Sequence, residues 1–315
     1  MLNPRLVAVC TLLIANTAVA ADLQYVTPAQ ADPHALVVDT RPEQRCMHHS
    51  IRGAHCLPAA DLIGPRGGLP SFPDLLWAFG TAGLSGEETV LVAGARAGNR
   101  DFVAGLLYLS GQARVQILTM PIAHALKEGR FPAGPGRGRG MLRDPIYTAQ
   151  MRDRLIDLPG DLREALSGSA APAVIDGRRA GDFHARAHDG GLMNHIPQAI
   201  NQPLVALYRH PETVGVNSGG DDGVVVYGYG PMDSIALFTR LRAGGVPGVR
   251  VLIGGWRAWI AAARSRAAAD GNAAGTAYRG LVSAAGVRTA GVIALIVAAL
   301  LLLMGMWTKR GKRWM

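Results

Sequence analysis

Residues 224–241 read VVVYGYGPMDSIALFTRL, and this stretch decides the fold class. The run Val224–Tyr227 is short, apolar and β-branched, which predicts a buried strand. A tight glycine-rich loop follows, and the spacing of Ile235, Phe238 and Leu241 then matches one face of a helix. A short buried strand that leads through a tight loop into a helix is typical of α/β proteins with a parallel sheet.

The same series of segments occurs twice along the chain. Each half opens with an apolar strand that ends in Asp-x-Arg, LVVDTR at 36–41 and AVIDGR at 173–178. The later segments also match in order, and the matching pairs are 49–58 with 194–203, 90–94 with 224–228, and 115–118 with 249–253. The repeat predicts two α/β units in tandem, each a parallel sheet flanked by helices.

In the second half, VIDGRRAGDF, NHIPQAINQPL, VVVYG and VLIGGWRAW occur in an order that resembles the rhodanese (sulfurtransferase) family. The resemblance extends over 30–130 and 145–265 and implies the family's tandem two-domain arrangement. The first half is the weaker match, since LTMPIAH at 118–124 stands where the second half has a Gly-Gly-Trp segment.

The resemblance also implies a site. In rhodaneses a Cys opens a six-residue loop between a strand and a helix, and its thiolate carries sulfur as a persulfide. Here the resemblance places Ala95 at that position in the first half and Gly228 in the second, so no catalytic residue is expected by the usual mechanism. The second, degenerate loop consists of Gly228, Tyr229, Gly230, Pro231, Met232 and Asp233, with Asp233 in place of the usual closing Arg.

The first loop keeps Arg100 and adds Arg96, so it is a candidate oxyanion cradle. Its residues are Ala95, Arg96, Ala97, Gly98, Asn99 and Arg100. The alternative is a loop retained only to close the fold.

A cluster of thiols and imidazoles lies between residues 46 and 56. Its members are Cys46, His48, His49, His55 and Cys56. Three interpretations stay open. The two cysteines form a disulfide, as exported thiols tend to do; they bind Zn or Cu(I) together with a histidine; or one of them replaces the missing nucleophile as a sulfur carrier.

The remaining polar and aromatic residues predict structural roles. The pairs Asp39/Arg41 and Asp176/Arg178, at matched strand ends, are expected to be ion pairs that brace the loops. We expect packing roles for His195, Trp256 and Trp259. No nucleotide-binding or metalloprotease motif occurs, and no cofactor is expected.

The two ends of the chain predict export and membrane anchoring. Residues 1–20 have the form of a cleaved signal peptide, with Arg5, an apolar core and an Ala-Val-Ala cleavage site. Residues 289–307 contain no charge and are long enough to span a bilayer, and the basic tail 308–315 follows. For a bacterial cell this predicts a single-pass inner-membrane protein with its domains in the periplasm and its C-terminus in the cytoplasm.

The predicted organisation places domain 1 at 21–130, a Pro/Gly linker at 131–144, domain 2 at 145–266 and a juxtamembrane linker at 267–288. The formal net charge is +9, but without Arg5 and the four cations of the tail the exported part carries only +4. Because no basic stripe with interleaved aromatic residues occurs in it, nucleic acid is not an expected partner.

The sequence therefore predicts a membrane-tethered binding module for a small sulfur oxyanion or for a membrane or periplasmic partner protein. One alternative is a thiosulfate-type sulfurtransferase that uses Cys46 or Cys56. A second alternative is a metal or redox accessory protein.

Overall fold

The computed structural model describes residues 22–185, 194–210 and 223–269. Residues up to Ala258 belong to one compact unit, and the described part of a second unit, 259–269, is helical. The predicted signal peptide, membrane-spanning segment and basic tail lie outside the described residues. Within the described ranges, no helix is long and apolar enough to cross a bilayer.

The first half contains a parallel five-stranded sheet. Its elements are β1 (Leu23–Val26), β2 (Leu36–Asp39), α1 (Glu43–His48), β3 (Ser50–Ile51), β4 (His55–Cys56), α2 (Phe72–Thr81), β5 (Thr89–Ala93), α3 (Ala97–Leu109), β6 (Arg114–Leu118), α4 (Ile122–Lys127) and β7 (Ala133–Gly134). The strand order is β1-β6-β5-β2-β4, and each neighbouring pair is parallel. A 3₁₀ turn, Ala59–Leu62, leads from β4 towards α2.

The second half repeats this topology. Its elements are β8 (Ile156–Asp157), α5 (Pro159–Ser167), β9 (Ala173–Asp176), α6 (Ala180–His184), β10 (Ile200–Asn201), α7 (Leu204–Arg209), β11 (Val224–Tyr227), α8 (Pro231–Ala243) and β12 (Val249–Leu252). The strand order is β8-β12-β11-β9-β10, again all parallel, which matches the first sheet strand for strand. The α/β fold with parallel sheets flanked by helices is therefore confirmed.

Helices α3 and α8 pack the two halves together. Gly105 of α3 allows their close approach, because a Cβ atom at that position would lie 2.0 Å from Thr239 Oγ1 and 2.7 Å from a methyl group of Ile235. Nearby, the rings of Tyr108 and Phe238 lie 6.4 Å apart. A small residue at the contact lets the backbones approach and buries one face of each helix in the shared core.

A polar cluster is buried beside this helix contact. The Arg240 guanidinium of α8 lies 4.8 Å from the ring centre of Tyr25 and 5.5 Å from that of Tyr208, so it joins β1 of the first half to α7 of the second. Asp101 of α3 is only 1% exposed, and burial raises its pKa to about 6 although the charge of Arg240 opposes this. The two halves thus meet through charged as well as apolar groups.

The segment predicted as a flexible linker, 131–144, is in part structured, so that prediction is wrong. Strand β7 pairs antiparallel with β3. Gly136 N donates to Cys46 O (3.0 Å), and Arg137 N donates to Ala54 O (2.7 Å). The glycines that suggested flexibility serve close packing instead, since a Cβ at Gly136 would lie 2.6 Å from the Cys46 sulfur.

The chain also stays with the first half beyond the predicted start of domain 2 at 145. The Tyr147 ring is buried and packs 5.1 Å from that of Phe79, and Arg152 N donates to Leu109 O (2.8 Å). The second sheet begins only with β8. Buried aromatic surface, which composition does not reveal, holds residues 145–152 on the first half.

Candidate functional site

The two strand-to-helix loops have the same length in both halves. Strands β5 and β11 end at Ala93 and Tyr227, and the following helix begins four residues later in each case. The first loop residue is therefore Gly94 in one half and Gly228 in the other. The sequence-based pairing of Ala95 with Gly228 is wrong by one residue, because Gly98, Asn99 and Arg100 lie within α3 and do not close the loop. Neither half has a cysteine at this position.

No room for a side chain exists at Gly228. A Cβ atom there would lie 2.5 Å from Asp233 Cβ, 2.9 Å from the Asp233 carbonyl carbon and 3.0 Å from Ser234 N. Two of these neighbours are backbone atoms at the start of α8, which cannot rotate away. At Gly94 a Cβ would lie 2.1 Å from Thr40 Oγ1, an atom of a side chain that can rotate. Of the two loops, only the second is therefore closed to a side chain by backbone atoms.

Hydrogen bonds brace the second loop from inside and outside. Gly228 N donates to Ser234 Oγ (2.9 Å), and that hydroxyl donates to Gly230 O (2.8 Å). From the turn after β12, Trp256 N donates to Gly228 O (2.9 Å) and Arg257 N donates to Tyr229 O (3.1 Å). The turn after β12 therefore holds the carbonyl groups of Gly228 and Tyr229. The first residue of α8, Pro231, lies on the side that faces the first half.

A cavity of about 290 Å³ lies where this turn faces a loop of the first half. Its lining residues are Arg66, Gly67, Gly68, Leu69, Pro231, Ile253, Gly254, Arg257 and Ala258. Two of them are arginines with exposed side chains, and none is acidic. The guanidinium of Arg257 fits tightly against Gly67, where a Cβ would come within 2.9 Å of its Nη1.

Asp233 lies close to this cavity and bears on its electrostatics. Burial raises the pKa of its carboxyl group, and the positive charge of Arg257 lowers it. Arg257 therefore interacts with the Asp233 carboxylate and also lines the cavity, where it is available to a ligand. The 13-residue helix α8 adds the partial positive charge of its N-terminus and the unpaired amides of its first turn.

The first loop does not have the geometry expected of an oxyanion cradle. Arg100 is 4% exposed and points inward, with Nη1 donating to Gly94 O (3.1 Å) and Nη2 to Thr119 O (3.4 Å). Burial lowers its pKa. Of the two arginines of this loop, only Arg96, directly before α3, is exposed. The expectation that Arg100 faces an anion is therefore wrong, because both of its terminal nitrogens donate to carbonyl groups within the fold.

Cys46 and Cys56 form a disulfide, as the first of the three interpretations predicts. Both residues are fully buried, Cys46 on α1 and Cys56 at the end of β4. In this state neither sulfur is a thiolate.

The histidines of the same segment do not join the two sulfurs in a metal site. His55 Nδ1 is hydrogen-bonded to Ala82 O, and burial lowers the pKa of this imidazole. His48 and His49 have exposed side chains. Across the described ranges, no group of three or more His, Cys, Asp or Glu residues could hold a metal ion.

Both Asp-x-Arg motifs form the expected ion pairs. Arg41 contacts Asp39 and Arg178 contacts Asp176, with an N···O distance of 2.6 Å in each pair. Each arginine also donates to a carbonyl of the following segment, His49 O in the first half and Asn194 O in the second (both 2.6 Å). These bonds tie the strand end to the next segment in both halves.

The aromatic residues beside the second loop are used in packing. The Arg178 guanidinium lies 4.3 Å from the Trp256 ring centre, and Tyr227 donates to the carboxylate of Asp176 (2.5 Å). His195 stacks on Phe183 with ring centres 4.2 Å apart. The packing roles predicted for Trp256 and His195 agree with these contacts.

Sequence reasoning missed Arg66 and Arg257, the two charged residues of the cavity. Arg257 lies within the quoted IGGWRAW segment, and its place after the Gly-Gly turn was a usable signal. Arg66 lies in a first-half loop that matches no part of the repeat. Only the packing of the two halves brings it to the second loop.

Comparison with known proteins agrees with this architecture. Residues 158–262 match the family model described as the Rhodanese-like domain, so the second half contains such a domain. No curated protein sequence matches the chain significantly.

Among solved structures, the chain is similar to SseA from Escherichia coli, a 3-mercaptopyruvate sulfotransferase, with a TM-score of 0.59 and 19% identity over 74% of this chain and 99% of that one. A probable thiosulfate sulfurtransferase matches with a TM-score of 0.52 and 24% identity over 73% and 95% of the two chains. An EanB variant in complex with ergothioneine has a TM-score of 0.57 and 14% identity, over 75% of this chain and 62% of its own. The chain therefore has a rhodanese-like fold.

Proposed function

We propose that this protein is a tandem rhodanese-like module that binds a small sulfur-containing oxyanion and does not transfer sulfur through a persulfide. The observation that carries the proposal is the second loop, where Gly228 leaves no space for a nucleophile. Arg66 and Arg257 nevertheless line the cavity above it. The first half, with the same strand order, is a diverged copy in this proposal.

The absence of a usable thiolate supports a binding role. Persulfide formation requires a thiolate that attacks the sulfane sulfur. The two cysteines of the described residues, Cys46 and Cys56, are oxidised and buried. The third cysteine, Cys10, belongs to the predicted signal peptide. Reaction at Cys46 or Cys56 would therefore need prior reduction of the disulfide and exposure of a buried sulfur atom.

The charge and size of the cavity support an anion as the ligand. Guanidinium groups bind oxyanions through paired, charge-assisted hydrogen bonds. A volume of about 290 Å³ lies at the lower end of ligand pockets, which suits an anion with few heavy atoms. The N-terminus of α8 adds amide donors on the same side.

The proposed location is the outer face of the inner membrane, with residues 289–307 as the anchor. The predicted signal peptide and the positively charged tail support this orientation. The disulfide agrees with an oxidising compartment. Anchoring keeps the bound anion at high local concentration beside a membrane partner.

Titration calorimetry on the full chain in detergent tests the proposal. We expect heat on addition of thiosulfate, sulfite or sulfate, and a loss of that heat in Arg257→Met. Arg154→Met is the matched control, because this exposed arginine lies outside the cavity lining. If the unchanged protein gives no heat with any of the three anions, the binding proposal is wrong.

Intact mass, measured without reductant before and after thiosulfate, tests the non-catalytic part. We expect an unchanged mass, two hydrogens below that of the reduced chain. Addition of one sulfur that is lost with cyanide, and that is absent in Cys46→Ser or Cys56→Ser, would instead make the protein a sulfurtransferase with a displaced nucleophile.

A further inference from the structure

A loop between the two halves exposes large apolar side chains. Met141 is 93% exposed, Leu142 is 82% exposed and Ile146 is 59% exposed. Single exposed apolar residues are common on soluble proteins, but three such residues within six positions form a patch that needs an explanation. We refer to residues 141–146 as the apolar loop.

Contacts with α2 fix the apolar loop at both ends. Before it, Gly140 N donates to Thr81 O (2.8 Å). After it, Tyr147 is 3% exposed, and its ring packs 5.1 Å from that of Phe79. Within it, Arg143 lies against Gly80, where a Cβ atom would be 3.2 Å from the Arg143 Cβ. The three apolar side chains thus project from a segment whose backbone is held in place.

Arginine and tryptophan lie beside the exposed side chains. The stretch 130–146 contains four arginines and a single acidic residue, Asp144, and one of the arginines, Arg139, is paired with Asp61 (2.6 Å). Arg143 lies 5.9 Å from the ring centre of Trp77, which is itself 37% exposed on α2. Tryptophan beside arginine, next to projecting Met, Leu and Ile side chains, is the combination that favours the interface of an anionic bilayer.

We infer that the apolar loop docks onto the surface of an anionic phospholipid bilayer and inserts Met141 and Leu142 among the headgroups. Apart from the Arg139–Asp61 pair, 130–146 keeps three arginines against one carboxylate, and this net positive charge complements the charge of anionic lipids. This inference rests on the membrane anchor of the proposed function, because so small a patch binds effectively only when it is tethered.

The length of chain between the described residues and the anchor permits this contact. Residues 270–288 number 19, which span at most about 65 Å. A compact unit of about 240 residues has a radius of gyration of about 18 Å. Every face of the unit is therefore within reach of the bilayer, and the chemistry of the surface selects the face that makes contact.

Fluorescence of the full chain in lipid nanodiscs tests the inference. An environment-sensitive fluorophore (NBD) is attached to Leu142→Cys in a Cys10→Ser background, where the remaining cysteines are disulfide-bonded and buried. The matched control is Ile200→Cys, an exposed apolar site on β10 that is 67% exposed. Nanodiscs of phosphatidylglycerol are compared with nanodiscs of phosphatidylcholine.

We expect blue-shifted emission and quenching by doxyl-labelled lipids at residue 142 in phosphatidylglycerol, and neither at residue 200. The signal should diminish in phosphatidylcholine and in the Arg143→Glu variant. Water-like emission at residue 142 would overturn the inference, as would equal quenching at both sites. A blue shift without lipid quenching would assign the loop to a protein contact and would also overturn it. Retention of the chain in the nanodisc fraction reports the anchor separately.

Discussion

Adding a methyl group at Gly228 tests the central argument about the site. In Gly228→Ala, the new Cβ would lie 2.5 Å from Asp233 Cβ and within 3.0 Å of two backbone atoms of α8. The start of α8 must then shift, and overpacking of this kind costs about 2 kcal/mol. For a domain of this size, that corresponds to a decrease of roughly 4–8 °C in the apparent Tm. Substitution of Asp233 by glycine relieves only the first contact, so the double variant should recover only part of the loss.

Thermal unfolding of the full chain in detergent, followed by circular dichroism, measures this effect. The matched control is Gly160→Ala on α5, where a Cβ atom would meet nothing within 4 Å and the Tm should be unchanged or slightly higher. Equal Tm values for Gly228→Ala and the unchanged protein would refute the argument. A Gly228→Cys variant that folds with normal stability and gains one sulfur from thiosulfate would refute it more strongly, because the loop would then accommodate a nucleophile.

Three further predictions concern buried interactions elsewhere in the fold. Because burial raises the pKa of Asp101 from 3.8 to about 6 on folding, its ionisation removes roughly 2 kcal/mol of stability as the pH increases from 4 to 7. Asp101→Asn should therefore raise the Tm at pH 7 and change it little near pH 4, and thermal melts across that range measure the difference. The disulfide joins residues with a sequence separation of 10, so its removal in Cys46→Ala/Cys56→Ala should lower the free energy of unfolding by about 3 kcal/mol. A denaturation midpoint equal to that of the unchanged protein would contradict this value. In Gly105→Ala the new Cβ would lie 2.0 Å from Thr239 Oγ1, so the free energy of unfolding should fall by about 1–3 kcal/mol. Urea unfolding measures this change.

Local sequence patterns predicted the fold class and the order of strands in the repeat. A strand such as Val224–Tyr227 is buried on both faces, so its composition alone identifies it. The Asp-x-Arg pairs were also predictable, since their partners lie two residues apart and need only a strand end to meet. The pairing of Cys46 with Cys56 remained one of three possibilities until the packing of α1 against β4 was known.

The site was less predictable because its parts come from distant segments. The register of the first loop was wrong by one residue, since Arg100 resembles a loop-closing arginine but points inward to the carbonyl group of Gly94. The glycine-rich segment 131–140 has the composition of a linker, yet it packs against the buried Cys46 sulfur.

Sequence by itself therefore determined the two α/β units, the absence of cysteine from both loops and the charge pattern of the two ends of the chain. These properties depend on residues that are close together along the chain, where periodicity and composition act directly. The tertiary structure alone decided that Gly228 has no space beside it, that Arg66 and Arg257 share a cavity and that the apolar loop is held outward on α2. Such properties depend on how strands, helices and loops pack in three dimensions, and close packing fixes them only after the chain has folded.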